Sequence, residues 1–300
     1  MSQETQKRGE QNNAPPLGKL YDLGGGRRLM LHQAGSGIPA VVLEAGAGAF
    51  GLDYYNIFEL CTQRTTCVLY DRAGSGWSDP VDGPRSAAEI VTDLHDALGL
   101  AGVNGPYLLV GHSLGGLLVR AFSQHFPDDV FGVVLIDPSS EGIPLPAEDS
   151  EAIVKQMLEQ LRANPDLWRE WYPEMFEDFE KLPAQVRDPL IARHIDRDEA
   201  GLHDMMSAAR IQADVTNGLA LPDVPVTVLT GMKIDPTPGR SDFDMEAFNK
   251  IKYDAHRAFV NSLPHGEHRV LEDVGHRLTA ERPDVVVEAI FDILDRVASH

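Results

Sequence analysis

The segment YLLVGHSLGGLLVRAFSQHF at residues 107–126 is the clearest indication of the fold. It runs from a continuous apolar segment through a glycine-rich turn at 111–115 into an amphipathic segment. The first part indicates a strand buried on both faces of a parallel sheet, and the last part indicates a helix. Ser113 stands at the centre of the turn in the pattern G-x-S-x-G. Glycines at these positions suit a sharp, strained turn, since larger side chains would clash with the neighbouring backbone.

Strands and helices alternate along the rest of the chain. Apolar runs predict strands at 27–34, 39–44, 65–71, 131–137, 225–230 and 268–272. Helical spacing of apolar residues predicts helices near 51–63, 87–100, 114–126, 246–262 and 283–298. This alternation is typical of βαβ units in a doubly wound α/β sheet. The run at 27–34 alternates between apolar and polar residues, which predicts an edge strand.

Residues 141–222 interrupt this order, because they contain helical patterns and no strand pattern. We expect them to form a helical cap inserted between two strands. The α/β core is then expected to comprise residues 17–140 and 223–300. Residues 1–16 are polar and lack an apolar segment, so they predict a disordered tail rather than a secretion signal.

Ser113 needs a base, because a serine hydroxyl alone is a poor nucleophile. His276 is the best candidate among the 11 histidines. It follows the last predicted strand and precedes the final helix, and Gly275 permits a tight turn that directs the ring back towards the sheet. The other ten histidines lie in strands, helices, the insertion, turns or the chain end. The sequence therefore predicts a Ser113–His276 pair.

The acid that would orient this histidine has two main candidates. Asp235 follows the strand at 225–230 and lies between the serine and the histidine in the sequence, which is the order Ser…Asp…His. Asp137 ends the neighbouring strand and could reach the same histidine, or could cap a turn instead. Asp235 is the first choice and Asp137 the alternative, with Asp242 and Asp244 behind them.

Two backbone N–H groups are expected to bind the oxyanion of an acyl-transfer intermediate. Leu114, directly after the nucleophile, supplies one in this geometry. The other is expected from the small-residue loop AGAGA at 45–49, with Ala47 as the donor and Ala45 as the alternative. A phosphate-binding role for this loop is disfavoured, because the Lys and Ser/Thr of a P-loop are absent.

Composition excludes several classes of partner. The chain has 300 residues and a formal net charge of −20, which argues against binding to nucleic acid or to an anionic membrane surface. No apolar stretch reaches the length of a membrane span. Two cysteines cannot build a disulfide framework, so a reducing compartment is expected. We expect a cytoplasmic monomer or homodimer that acts on a small molecule.

Three motifs together resemble the α/β-hydrolase superfamily over roughly residues 18–298. GHSLGG at 111–116 resembles its nucleophile elbow, and DRAGSGWS at 71–78 its loop after the fourth strand. GHRLTAERPDVV at 275–286 resembles its terminal histidine segment. The resemblance implies an eight-stranded, mostly parallel sheet with helices on both faces, a cap over the site, no cofactor and no metal. The usual His-Gly before the oxyanion donor is here Ala45–Gly46, and 71–78 is expected to shape a loop near the pocket.

The resemblance further implies a serine hydrolase that works through an acyl-enzyme. The expected substrate is a small to medium, mostly apolar ester or lactone. Candidate substrate-binding residues are Phe50, Trp168, Trp171, Phe176, Met205 and Met206. The same three catalytic groups could instead support C–C bond hydrolysis or perhydrolysis. A ligand-binding receptor with little turnover is the alternative of a different class, although such a receptor would not need the base.

Overall fold

The computed structural model describes residues 14–143, 173–195, 200–234 and 244–297, with scattered positions between 156 and 167. The strands are β1 (Lys19–Asp22), β2 (Arg28–Ala34), β3 (Ala40–Glu44), β4 (Cys67–Tyr70), β5 (Tyr107–His112), β6 (Val130–Ile136), β7 (Val226–Gly231) and β8 (Gly266–Leu271). The helices are α1 (Tyr55–Cys61), α2 (Ala87–Leu100), α3 (Leu114–His125), α4 (Pro173–Phe179), α5 (Ala184–Ile195), α6 (Ala200–Thr216), α7 (Met245–Asn261), α8 (Leu278–Glu281) and α9 (Pro283–Val297).

The eight strands form one sheet in the order β1-β2-β4-β3-β5-β6-β7-β8. Strands β3 to β8 pair in parallel, whereas β2 pairs antiparallel with both β1 and β4. The prediction of an eight-stranded, mostly parallel α/β sheet is therefore confirmed. The prediction that 27–34 is an edge strand was wrong, because β1 covers its outer side.

Helices cover both faces of the sheet, which explains why its central strands are almost entirely apolar. Alternate residues of β3 belong to opposite cores: Val42 packs on one face, and Val41 and Leu43 pack on the other. The first core is completed by apolar side chains from α2, α3, α6 and α7. The second is completed by side chains from α1, α5, α8 and α9. Cys61 and Cys67 are buried, free thiols in this second core.

The sheet brings the loops after its parallel strands to one edge, where ligands of doubly wound proteins bind. Central β5 ends at His112, directly before Ser113, and β6 ends directly before Asp137. The loop after β8 carries His276. Helices α4, α5 and α6 lie in the segment predicted to be a cap, whose boundaries at 141–222 stay a prediction. Among the described residues, no helix is long and apolar enough to cross a membrane.

Candidate active site

Ser113 occupies a strained backbone position between β5 and α3. Its φ is 53° and its ψ is −119°, a left-handed φ that costs a non-glycine residue about 1–3 kcal/mol. Two hydrogen bonds to the neighbouring strand end hold the turn. The Ser113 N–H donates to the Ile136 carbonyl at 3.0 Å, and the Ser139 N–H donates to the Ser113 carbonyl at 3.0 Å. The surrounding sheet thus maintains the strain at this one residue.

The glycines of the elbow are required by close backbone contacts. A Cβ on Gly111 would lie 2.3 Å from the Gly115 carbonyl oxygen, and one on Gly115 would lie 2.4 Å from the Glu44 carbonyl oxygen. A Cβ on Gly116 would meet Pro138 at 2.5 Å. These distances are too short for any side chain, so the pattern G-x-S-x-G-G follows from the geometry.

His276 is paired with Asp137. Its Nδ1 lies 2.7 Å from Asp137 Oδ2, while the His276 side chain is 55% exposed and the Asp137 side chain only 1%. Asp137 itself has a left-handed φ of 40°. The preferred acid of the sequence analysis, Asp235, lies outside the described residues, as does Asp242. The structure therefore gives the histidine the partner that sequence analysis placed second.

The Asp137 carboxylate has two further partners. The Gly231 N–H donates to Oδ1 at 3.1 Å, and the Lys252 ammonium lies 3.0 Å from Oδ1 and 3.1 Å from Oδ2. Burial alone would raise the pKa of Asp137. The hydrogen bond and charge of His276, with the charge of Lys252, outweigh burial and hold that pKa well below its usual range. Asp137 is thus ionised at neutral pH.

His112 links the histidine loop to the loop after β3. Its Nε2 lies 3.0 Å from the His276 carbonyl oxygen, and its Nδ1 lies 2.9 Å from the Tyr54 hydroxyl. Tyr54 Oη also accepts from the Gly46 N–H at 2.9 Å. Burial, aided by the charge of His276, lowers the pKa of His112 to about 3, so the ring is neutral.

These contacts fix the tautomer of His112. Only an Nε2–H can donate to the carbonyl of His276, so Nδ1 must accept from the Tyr54 hydroxyl. The rings of His112 and His276 lie 4.7 Å apart between centroids, which places the histidine beside the elbow. One unbroken hydrogen-bond chain therefore joins Gly46, Tyr54, His112 and the backbone of His276.

The loop after β3 lies directly against the elbow. A Cβ on Gly46 would be 3.3 Å from Ser113 Cβ. Among the described residues, the N–H groups of Leu114 and Ala47 have no hydrogen-bond partner. Available N–H groups on these two segments are what an oxyanion site requires.

A buried arginine holds the carbonyls of this same loop. Arg72 donates to the carbonyl oxygens of Ala45 at 2.7 Å and Gly46 at 2.8 Å. It also pairs with the carboxylates of Glu44 at 2.6 Å and Asp204 at 2.5 Å. Burial raises the pKa of Glu44, an effect that the Arg72 charge opposes. Arg72 thus ties the loop to the end of β3 and, through Asp204, to α6.

The rest of the DRAGSGWS motif shapes its own loop. Asp71 accepts hydrogen bonds from the backbone N–H groups of Gly51 and Trp77, each at 2.8 Å. Gly76 has a φ of +51°, and a Cβ there would lie 2.1 Å from the Asp71 carboxylate. Burial raises the pKa of Asp71 to about 6. These contacts agree with the architectural role expected for residues 71–78.

Two of the six candidate substrate-binding residues are core side chains. Phe50 is buried, stacked on His194 at 4.3 Å and edge-on to Trp77 at 6.3 Å. Phe176 is buried against Phe179, with ring centroids 6.2 Å apart. Trp168 and Trp171, and the side chains of Met205 and Met206, lie outside what the structure describes.

Sequence reasoning missed Tyr54, Lys252 and Asp204. A weak signal existed for Lys252: Asn249, Lys252 and His256 are spaced by three and four residues, which places three polar side chains on one face of a predicted helix. All three are buried, so that face points towards the site rather than towards solvent. Tyr54 and Asp204 had no comparable signal, since their side-chain partners, His112 and Arg72 respectively, are distant in sequence.

A family model described as the alpha/beta hydrolase family matches residues 41–289. The chain therefore belongs to the α/β-hydrolase family, and the resemblance stated above is confirmed. The fold and the elbow agree with that family.

Individual proteins share lower overall similarity with this chain, either in sequence identity or in the length that is matched. The chain is 28% identical to the (lyso)-N-acylphosphatidylethanolamine lipase of Bos taurus over 295 residues, covering 86% of this chain and 80% of that protein. It is 34% identical to the probable transporter efuK of Hormonema carpetanum over 110 residues, 35% of this chain and only 16% of that protein. The solved enol-lactonase of Burkholderia xenovorans matches with a TM-score of 0.67 at 20% identity, covering 92% of this chain and 99% of the other.

Proposed function

We propose that this protein is a serine hydrolase that cleaves a small to medium, mostly apolar carboxylic ester or lactone through an acyl-enzyme. Ser113 is the nucleophile, His276 the base and Asp137 the acid. The observation that carries the proposal is the 2.7 Å contact between His276 Nδ1 and the buried Asp137 carboxylate, beside a serine held at a strained elbow.

The proposed reaction uses each group at a stated atom. Asp137 accepts the Nδ1–H of His276, which leaves the Nε2 lone pair free to take the Ser113 proton as Oγ attacks the substrate carbonyl. The N–H groups of Leu114 and Ala47 bind the oxyanion. His276 then protonates the departing alcohol, and later takes a proton from the water that releases the acid. With a lactone, the alcohol stays attached to the acyl chain, and water releases a single hydroxy acid.

Asp137 replaces Asp235 in the proposed triad for a geometric reason. Its carboxylate reaches the histidine from the end of β6, the strand next to β5, and its ionised state is supported by Lys252 and the Gly231 N–H. An acid that is ionised and fixed stabilises the imidazolium formed during attack.

The substrate class is proposed from the relatives and from the chain's own composition. One relative is named a lipase and one structural neighbour an enol-lactonase. From the sequence, Trp168, Trp171, Met205 and Met206 of the insertion are proposed as the apolar substrate-binding residues.

Hydrolysis of p-nitrophenyl esters with acyl chains of two to eight carbons, and of a panel of lactones, tests the proposal. Wild-type protein should show a burst of p-nitrophenol equal to the enzyme concentration, because p-nitrophenolate is a good leaving group and acylation is then faster than hydrolysis of the acyl-enzyme. Ser113→Ala should lower kcat by about 10⁴-fold or more. Ser139→Ala is the matched control, since it removes a hydroxyl two residues after Asp137 and keeps the backbone contact to Ser113. Equal turnover by wild type and Ser113→Ala would refute the covalent mechanism.

A further inference from the structure

A buried ammonium lies directly against the proposed catalytic acid. Lys252 projects from α7, and its side chain is 7% exposed. Its Nζ contacts both oxygens of the Asp137 carboxylate and donates to the Gly231 carbonyl oxygen at 2.6 Å. Among the described residues, the ammonium therefore contacts the Asp137 carboxylate and the backbone of Gly231, whose N–H also donates to Asp137.

Two histidines, both in contact with the Thr230 hydroxyl, lie next to this lysine and carboxylate. His256, one turn along α7, lies 2.7 Å from both the Pro138 carbonyl oxygen and the Thr230 hydroxyl. Burial lowers its pKa to about 4. His268 on β8 lies 2.8 Å from the same hydroxyl, and burial also lowers its pKa. Both rings are neutral at neutral pH, as is His112.

Asp137 Oδ2 is thus shared between two cations once His276 is protonated. The imidazole Nδ1 is 2.7 Å from Oδ2, and the ammonium is 3.1 Å from the same oxygen. The ammonium partly neutralises the carboxylate and repels a charge on the ring.

We propose that Lys252 is a positioning residue for the reaction: it fixes the Asp137 carboxylate in its ionised form and extends the pH range in which His276 is neutral, and so able to act as a base, to lower pH. The inference rests on the proposed triad of Ser113, His276 and Asp137. It adds a residue outside that triad which sets the pH range of activity.

Lys252→Gln removes the charge and keeps a side-chain amide that can donate to the Gly231 carbonyl. The acidic limb of the kcat/KM–pH profile should then move to higher pH by about one unit. Lys252→Arg retains the charge and should leave that limb near its wild-type position. Lys250→Gln is the matched control, because Lys250 is on the same helix and pairs with Asp254 in solvent. It should not move the limb.

A second measurement requires no turnover. The imidazole resonances of His276, assigned by their loss in His276→Gln, are followed by NMR against pH in unliganded protein. The titration midpoint should rise by about one pH unit in Lys252→Gln relative to wild type. The wild-type protein allows a further measurement that does not depend on the folding of a variant. As the pH is varied, the ¹⁵Nζ resonance of Lys252 should shift with the same midpoint as the resonances of the His276 ring.

The outcomes separate this inference from the proposed function. An unmoved His276 midpoint in folded Lys252→Gln, or a Lys252 resonance insensitive to the His276 titration, would overturn the role of Lys252 even if Ser113 is the nucleophile. A shifted midpoint would support it even if the ester and lactone panel shows no turnover. Loss of stability in Lys252→Gln with an unchanged pH profile would assign Lys252 a purely structural role.

Discussion

Two clusters of charged and ionisable side chains flank Ser113, and they contact different parts of the site. The acid cluster, made of Asp137, Lys252 and His276, lies on the side of β6, β7 and α7. The arginine cluster, made of Glu44, Arg72 and Asp204, lies on the side of β3 and β4. The first is centred on a carboxylate that contacts an imidazole ring, whereas the second is centred on a guanidinium that never deprotonates in proteins.

The acid cluster contains the groups proposed to transfer protons, whereas the arginine cluster holds a loop in position. In the acid cluster, the His276 ring and the Lys252 ammonium contact the same carboxylate, which is the proposed acid of the reaction. In the arginine cluster, the donors of Arg72 are engaged by two backbone carbonyls and two carboxylates, so they fix the position of the loop that carries Ala47. Changes in the acid cluster should alter kcat and its pH dependence, and changes in the arginine cluster should alter stability together with kcat.

The largest expected effect is at the acid. Asp137→Asn should lower kcat by about 10³- to 10⁴-fold with a small change in KM, because an amide no longer stabilises the imidazolium or fixes the tautomer. Asp235→Asn, measured on the same ester, serves as the comparison and should stay within a few-fold of wild type. A large loss in Asp235→Asn with little loss in Asp137→Asn would reverse the assignment of the acid.

Arg72→Met should have the second-largest effect. It leaves the buried Glu44 carboxylate without its cation, so urea unfolding should show a loss of about 3–5 kcal/mol. The loop carbonyls of Ala45 and Gly46 lose their donor, and kcat should fall by about 10- to 100-fold as the oxyanion donor moves. Arg28→Met, which removes an exposed ion pair with Asp79, is the control and should cost much less. Equal losses of unfolding free energy in the two variants would show that the buried contacts of Arg72 stabilise the protein no more than an exposed ion pair does.

The smallest effect is expected at Tyr54, which belongs to neither cluster but joins the two loops. Tyr54→Phe leaves the Gly46 N–H and His112 Nδ1 without their partner, which should cost about 1–3 kcal/mol of unfolding free energy. A decrease in kcat of about tenfold should accompany it, since both loops bordering Ser113 lose their link. Tyr55→Phe removes the hydroxyl of the neighbouring tyrosine outside this chain of hydrogen bonds and should be nearly neutral. Stability and kcat equal to wild type in Tyr54→Phe would show that the hydroxyl is dispensable.

The fold was predictable from the sequence because its signals are local. The apolar runs of β3 to β7 are continuous, and the elbow motif lies between an unmistakable strand and helix. The pairing of 27–34 depended on β1, a four-residue strand with two exposed ends that leaves little pattern.

The site was less predictable because its decisive contacts are long-range. Asp137 and Asp235 both follow a parallel strand and both precede His276, so sequence order alone could not choose between them. The contact of Asp137 with His276 joins residues 139 positions apart. The roles of Lys252 and Tyr54 arise from tertiary packing, and Phe50 and Phe176 became core residues through the same packing.

The most direct test is to map the residue that reacts with a fluorophosphonate. Intact protein is incubated with the probe, digested, and analysed by mass spectrometry, with His276→Gln and Asp137→Asn treated in parallel. A single adduct on Ser113, formed orders of magnitude more slowly in both variants, is the predicted result. An adduct on another serine, or labelling of Ser113 at the wild-type rate without His276, would contradict the assignment of Ser113 and His276 as nucleophile and base.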